Sequence, residues 1–230
     1  MKKSYTIKDL VFLFLSHIWW IVAAAVVGAV LTFTYTKFAV AKQYQSNISM
    51  YVKNSDEQNN QQQGLNNNDL YVSKSLVSTY IVILSNDAAM DEVGDRLSKK
   101  YSEEELSEYF TVKNGKITDS SLRSCYSMKA ADETEVLEIT ATTKNAKLSA
   151  DLCNIMADVA PEFLIRVVGA GSVEKIGNAK IYDDAVSPDI PKNTAIGFLA
   201  GLMLAVLVIL LIDFFDNTVK DTAELTEKYK

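Results

Sequence analysis

Residues able to do chemistry are few in this chain and poorly placed for it. Histidine, the side chain that titrates nearest neutral pH, occurs once, at His17. It stands beside Trp19 and Trp20 at the start of a long apolar run, which reads as an interfacial position. A nucleophile in the polar middle of the chain would lie across a bilayer from it. Glu103, Glu104 and Glu105 are consecutive carboxylates, but they follow Ser102. The Ser-x-x-Glu spacing is that of a capping box, and acidic residues in a first turn are favoured by the helix dipole, so they read as a helix start rather than a metal or catalytic cluster. Asp183 and Asp184 are adjacent in an expected strand and would point to opposite faces, so they cannot pair as acid and base. Cys125 and Cys153 are the only cysteines. Outside the cytoplasm they could form a disulfide; two buried free thiols is the other reading, and no third or fourth ligand accompanies them to make a metal site. Gly169-Ala170-Gly171 fits a helix C-cap better than a ligand loop, and no G-x-x-x-x-G-K-[ST] phosphate loop occurs. No catalytic residue, cofactor-binding residue or metal ligand is assigned, and an enzyme is not expected.

The elements that hold these residues are arranged around two apolar runs. Residues 10–36 and 193–212 contain no Asp, Glu, Lys or Arg. About 20 apolar helical residues cross a hydrocarbon core of roughly 30 Å, so both runs qualify as spans. The first is too long for one straight span. Ile7, Leu10, Val11, Phe14 and Leu15 recur at helical spacing after Thr6, with Lys2, Lys3 and Lys8 beside them, which predicts a short interfacial helix ahead of the span. Ala39-Val40-Ala41 resembles a signal cleavage site, but the apolar run far exceeds the roughly 7–15 residues of a signal h-region. The expected organisation is an interfacial helix over 1–17, a span over 18–36, an α+β domain over 37–192, a span over 193–213 and a tail over 214–230. Short flanks carrying lysine translocate poorly while long domains cross regardless of charge. Both termini are therefore expected in the cytoplasm, with the central domain outside a plasma membrane crossed twice. In the second span Gly197, Gly201 and Ala205 stand four residues apart. Such a face lets backbones approach in lipid, between subunits among other choices; glycine enrichment common to membrane helices is the alternative.

The central domain carries 17 basic and 23 acidic residues, the whole of the net charge of -6. An acidic surface repels phosphate backbones, so nucleic acid is not an expected partner. A strand is expected over 45–52, with Ile48, Met50 and Val52 on one face. Residues 54–68, crowded with Asn and Gln, read as a loop. Leu70, Val77, Ile81 and Leu84 form one helical stripe. Asn86 caps a second helix with Met90, Val93 and Leu97 inward, and Ser102 caps a short third. Strands over 124–130 and 136–142 form a hairpin around 132–135. Asn145 starts a long helix containing Leu148, Leu152, Met156, Val159 and Phe163, with Pro161 expected to kink it. A last strand lies between 172 and 185 and is expected to pair with the first. Strands and helices mixed in this order define an α+β domain on two transmembrane helices.

Around the second span the residues become specific. Ser187-Pro188-Asp189-Ile190-Pro191-Lys192-Asn193 leads in, the two prolines fixing an extended approach. The Gly197 and Gly201 helix follows, then Asp213-Phe214-Phe215-Asp216, Thr218-Val219-Lys220 and Glu224-Leu225. This arrangement resembles the Wzz-like chain-length determinants, or polysaccharide co-polymerases, and among them the short Gram-positive type that serves as membrane adaptor of a separate cytosolic tyrosine kinase. Ile7-Lys8-Asp9-Leu10, Tyr44-Gln45-Ser46, and Thr79-Tyr80 with Ile83-Leu84-Ser85 are similar to that family too. Many of its members continue with a Leu-Gly-x-x-Pro-like segment beyond the point where this sequence ends, at Lys230. The resemblance implies ring-like homo-oligomers, control of capsular or exopolysaccharide chain length, contact with polymerase and export machinery, and a tail that docks and activates the kinase. By position Phe215, Asp216, Asn217, Thr218, Val219, Lys220, Glu224 and Leu225 would carry docking, and Ser187, Pro188 and Pro191 the membrane-proximal proline motif. Gly197, Gly201 and Ala205 remain the helix-packing candidates, and membrane lipid is a partner by burial of the spans. The second reading is a two-span sensor whose outer domain binds a ligand. A sensor is expected to continue into a signalling domain, whereas 18 residues follow Ile212.

Overall fold

The structure, a computed structural model, describes residues 7–53, 67–131, 134–169 and 172–215. Among the described residues the chain forms two compact units. The first holds α1 (Ile7–Ser16), α2 (Ile18–Phe38) and α8 (Ile190–Phe215), and the second spans Lys42–Ser187.

α2 and α8 are 21 and 26 residues long, with charged residues only near their ends, Lys37 in α2 and Lys192 and Asp213 in α8; at about 1.5 Å per residue each is long enough to cross a bilayer. Their large side chains face outward: Val22, Val26, Val30 and Leu31 on α2, Leu204, Leu207 and Leu211 on α8. In water that pattern would be an aggregation hazard; in lipid it is the satisfied state. α1 ends at His17, whose φ of -108° and ψ of 13° break the helix before α2 begins. The His17 Nδ1 lies 3.0 Å from the Leu13 carbonyl oxygen, so the ring occupies the junction between the two helices. Val11, Phe12 and Leu15 are exposed along α1.

The second unit is built on an antiparallel sheet ordered β4-β5-β1-β6: β4 (Tyr126–Ala130), β5 (Val136–Thr143), β1 (Tyr44–Lys53) and β6 (Ser172–Ile176). First and last strands pair as expected, with Met50 opposite Lys175 and Val52 opposite Val173. Alternation along β1 buries Ser46, Ile48, Met50 and Val52, and β5 adds Leu137, Ile139 and Ala141. That face is covered by α7 (Ala146–Val168), whose Leu148, Leu152, Met156, Val159 and Phe163 are buried. α3 (Asn67–Leu84) and α4 (Asp87–Ser98) complete the core with Val77, Tyr80, Leu84, Met90, Val93 and Leu97. Several of these side chains are fully buried, each worth about 1.5–3 kcal/mol of transfer from water.

Local signals account for the boundaries. The Asn86 side chain accepts from Ala88 N–H, and Asn145 accepts from Leu148 N–H. Ser102 and Glu105 form the reciprocal capping box at the head of α5 (Glu103–Tyr109). Gly169 ends α7 at φ 70°, in the left-handed region open to glycine. Pro161 lies inside α7, where its ring removes one backbone donor. Surface ion pairs join α4 to α7, Arg96 with Glu162 at 2.8 Å and Arg166 with Glu92 at 2.5 Å; exposed pairs of this kind each contribute roughly 0–1 kcal/mol.

Two expectations need correction, and one hairpin lies where no element was expected. The strand expected from Ser124 begins at Tyr126, because Asp119–Cys125 forms a short helix, α6, that buries Leu122. A two-stranded hairpin, β2 (Val112–Lys113) and β3 (Lys116–Ile117), turns at Asn114 and Gly115, both at positive φ. Asp183 and Asp184 lie in irregular chain beyond the end of β6 rather than in a strand. The Asn- and Gln-rich loop falls outside the described residues except for its last two positions, which begin α3.

Candidate functional site

The two spans pack against each other through their smallest residues. A β-carbon built on Gly201 would lie 2.6 Å from the Ala24 carbonyl oxygen and 3.1 Å from Ala25 Cα. On Gly197 it would overlap the Thr32 side chain, and on Gly28 it would stand 2.6 Å from the Gly197 carbonyl oxygen. Residue numbers run in opposite directions through these contacts, so α2 and α8 are antiparallel. Ala25 and Ala205 are buried beside the glycines. Thr32 donates to the Gly28 carbonyl at 2.8 Å, which satisfies its hydroxyl within α2 and leaves its body against Gly197. With no hydrophobic drive between helices in lipid, this close backbone approach supplies the association through van der Waals contact.

The small residues of α8 thus meet α2 of the same chain. The matching face is present in the sequence: Ala24, Gly28 and Thr32 stand four residues apart, the same interval as Gly197, Gly201 and Ala205.

The approach to α8 is held by backbone pairing within the second unit. Gln43 N–H donates to the Ser187 carbonyl at 2.9 Å, and Val186 N–H donates to the Gln43 carbonyl at 2.8 Å. Chain leaving β1 at its start and chain leaving the central domain at its end therefore run side by side. Asp189 then caps α8, its carboxylate accepting from Lys192 N–H at 3.0 Å. Pro191 sits in the first helical turn, where a missing N–H costs nothing, so of the two prolines only Pro188 lies in extended chain. At the far end Phe214 and Phe215 stack edge to face with centroids 5.6 Å apart. Asp216, Asn217, Thr218, Val219, Lys220, Glu224 and Leu225 lie outside the described residues.

In the central domain the titratable groups serve packing. Tyr101 donates to Asp151 at 2.5 Å, and Lys100 pairs with the other Asp151 oxygen at 2.7 Å. Burial, then the Asp151 hydrogen bond and charge, push the Tyr101 hydroxyl up and keep it a donor. Both cysteines are free thiols. Cys153 faces the sheet and donates to the Ser46 carbonyl at 3.2 Å; burial pushes its thiol up to about 12. Cys125, half-buried at the end of α6, is raised by burial as well. Thiolate is the reactive form, so at pH 8 a maleimide should reach Cys125 first and Cys153 only on unfolding, as followed by mass spectrometry. Because the unfolded thiol ionises near 9.0, the stability Cys153 contributes is complete below about pH 9 and declines as pH rises toward 12. Rapid Cys153 alkylation in the folded protein would contradict this placement. Among the described residues no group of three or more His, Cys, Asp or Glu is arranged to hold a metal ion.

Residues 4–97 match the family model described as "Wzz: Chain length determinant protein". Over most of its length the chain is also similar to capsule proteins. It is 23% identical over 212 residues to "Capsular polysaccharide biosynthesis protein CpsC" of Streptococcus pneumoniae, covering 90% of this chain and 84% of that protein. It is 27% identical over 205 residues to "Probable capsular polysaccharide biosynthesis protein YwqC" of Bacillus subtilis, covering 88% and 73%. With "Capsular polysaccharide type 8 biosynthesis protein cap8A" of Staphylococcus aureus it shares 23% identity over 203 residues, covering 88% and 81%. The resemblance read from the motifs flanking the spans is borne out by these matches.

Proposed function

We propose that this chain is a membrane scaffold that sets the length of a capsular or exopolysaccharide and aids its export, without itself making or breaking glycosidic bonds. The observation that carries the reading is the combination of the chain-length-determinant match over 4–97 with two antiparallel apolar spans closed by Gly28, Gly197 and Gly201. Within the central domain, the first and last stretches of chain are tied by the Gln43–Ser187 backbone pairing. An antiparallel pair puts both termini on one side. The lysines of the short flanks favour the cytoplasm for them and the outside for the central domain.

Self-association belongs to the same reading. Ile165, Val167, Ile176, Ile181, Tyr182 and Val186 are exposed apolar residues of the central domain available for contact, and a second copy is the partner the family resemblance implies. The cytosolic tyrosine kinase enters through that resemblance as well, with the tail from Phe215 to Leu225 as its docking segment and polymerase and export proteins as further partners.

The test is the size of surface polysaccharide from cells that lack the chain and from cells to which it is restored. Loss of the preferred polymer length, regained on restoration, is expected; an unchanged size distribution contradicts the proposal. The two-span sensor is the second reading, and it would leave polymer length untouched under constant conditions.

A further inference from the structure

Asn-Gly occurs once in the sequence, at Asn114-Gly115, and the fold places it at the tip of the β2–β3 hairpin. Lys113 pairs with Lys116, so these two residues alone make the turn. Both stand at positive φ, 53° and 74°, the backbone that an Asn-Gly hairpin turn adopts. Both are exposed, and a β-carbon built on Gly115 would meet nothing within 4 Å, so the space beside its backbone is open. Other asparagines are held. Asn86, Asn145 and Asn154 accept backbone N–H groups through their side-chain oxygens, and Asn47 donates to Glu138. The Asn114 carboxamide has no hydrogen-bond partner among the described residues.

We propose that Asn114 is a modification site of the folded domain, passing through a cyclic imide with Gly115 to isoaspartate and aspartate. The Gly115 nitrogen gives its proton to hydroxide and attacks the Asn114 side-chain carbonyl carbon. A bond forms between that nitrogen and Cγ, the Cγ–Nδ2 bond breaks, and ammonia leaves after taking a proton from water. Water then opens the ring. Opening at the main-chain carbonyl leaves isoaspartate, and opening at the side-chain carbonyl leaves aspartate. The net change is one amide hydrolysed to a carboxylate and ammonium, with no oxidant or cofactor. Glycine suits the attacking position because no side chain stands in the way of the approach. The hairpin has two residues per strand, so it opens locally at far lower cost than the whole domain. Isoaspartate carries the chain through its side chain and adds a methylene to the turn, which no longer matches the two-residue hairpin geometry. The misfit falls on Ile117, buried in β3, and on Thr118 at the head of α6. Thr118 N–H and hydroxyl both donate to the Thr111 carbonyl, at 2.9 and 3.1 Å, and so close the base of the hairpin.

The inference stands apart from the polysaccharide reading and is tested on the detergent-purified full chain. Samples held at pH 8, native and in denaturant, would be followed over time by peptide mapping and mass spectrometry. The peptide containing Asn114 is expected to be the first to gain the mass of an amide turned to an acid. Its native rate should trail the denatured rate by less than the factor of about 10³ or more that global unfolding would impose. Ile117→Ala, which loosens the base of the hairpin, should raise the native rate severalfold and leave the denatured rate unchanged. Modified protein carries one more negative charge and separates by ion exchange; its hydrogen exchange over 111–118 should be faster than in the unmodified fraction. Another asparagine reacting first in the native chain would overturn the proposal. So would a native rate slowed by the full global unfolding factor, or one indifferent to Ile117→Ala.

Discussion

Substituting Leu for Gly201 is expected to force α2 and α8 apart. Even the first added carbon would meet backbone, the Ala24 carbonyl oxygen at 2.6 Å and Ala25 Cα at 3.1 Å. Backbone cannot rotate away as a side-chain tip can, so the helices themselves must shift. Overpacking usually costs about 1–3 kcal/mol, and a collision with two backbone atoms belongs at the upper end. Thermal unfolding of the detergent-purified chain, followed by tryptophan fluorescence, should show a clearly lowered midpoint. Leu204→Ala, at an exposed position of the same helix, should stay within about 0.5 kcal/mol of the parent. Under the proposed function, Gly201→Leu should also disturb polymer length in cells. A parent-like midpoint and parent-like polymer would reduce Gly197 and Gly201 to ordinary lipid-facing residues.

If the tail docks a kinase as proposed, Val219→Asp together with Leu225→Asp is expected to abolish stimulation of that kinase while leaving the chain in the membrane. The segment from Phe215 to Leu225 mixes apolar Phe215, Val219 and Leu225 with charged Asp216, Lys220 and Glu224. It is too short to bury a core of its own, and such a mixture suits a groove on a partner, where apolar anchors supply affinity and charges set register. Two carboxylates placed on the anchors would have to be desolvated to bind, at a cost of several kcal/mol each. Kinase autophosphorylation in cells should fall to the level seen without the chain, and polymer length should change with it. Phosphorylation and polymer length both at parent levels, with the variant still at the membrane, would exclude docking through this tail.

Much of the fold could be read from residue pattern because its strongest signals are local. The caps at Asn86, Ser102 and Asn145 each depend on residues within three positions, and the alternation of Ile48, Met50 and Val52 needs no partner to be recognised. The pairing of β1 with β6 followed from both strands adjoining the membrane segments. What escaped was short or depended on contact. α6 has seven residues and the β2–β3 hairpin two per strand, too little for a periodicity to emerge, although Asn114-Gly115 is a turn signal that marks the hairpin. The glycine face of α8 was legible, but not its partner. Gly28 and Thr32 are unremarkable alone and gain meaning only when α2 runs antiparallel to α8.

The most direct measurement is the molar-mass distribution of the surface polysaccharide together with its total amount, in cells with the chain and in cells without it. A scaffold that governs length predicts that polymer is still made without it, with the preferred length lost and the distribution altered, and that restoring the chain restores the preferred length. Polymer of the same length distribution in both, at any total amount, would contradict a role in chain length.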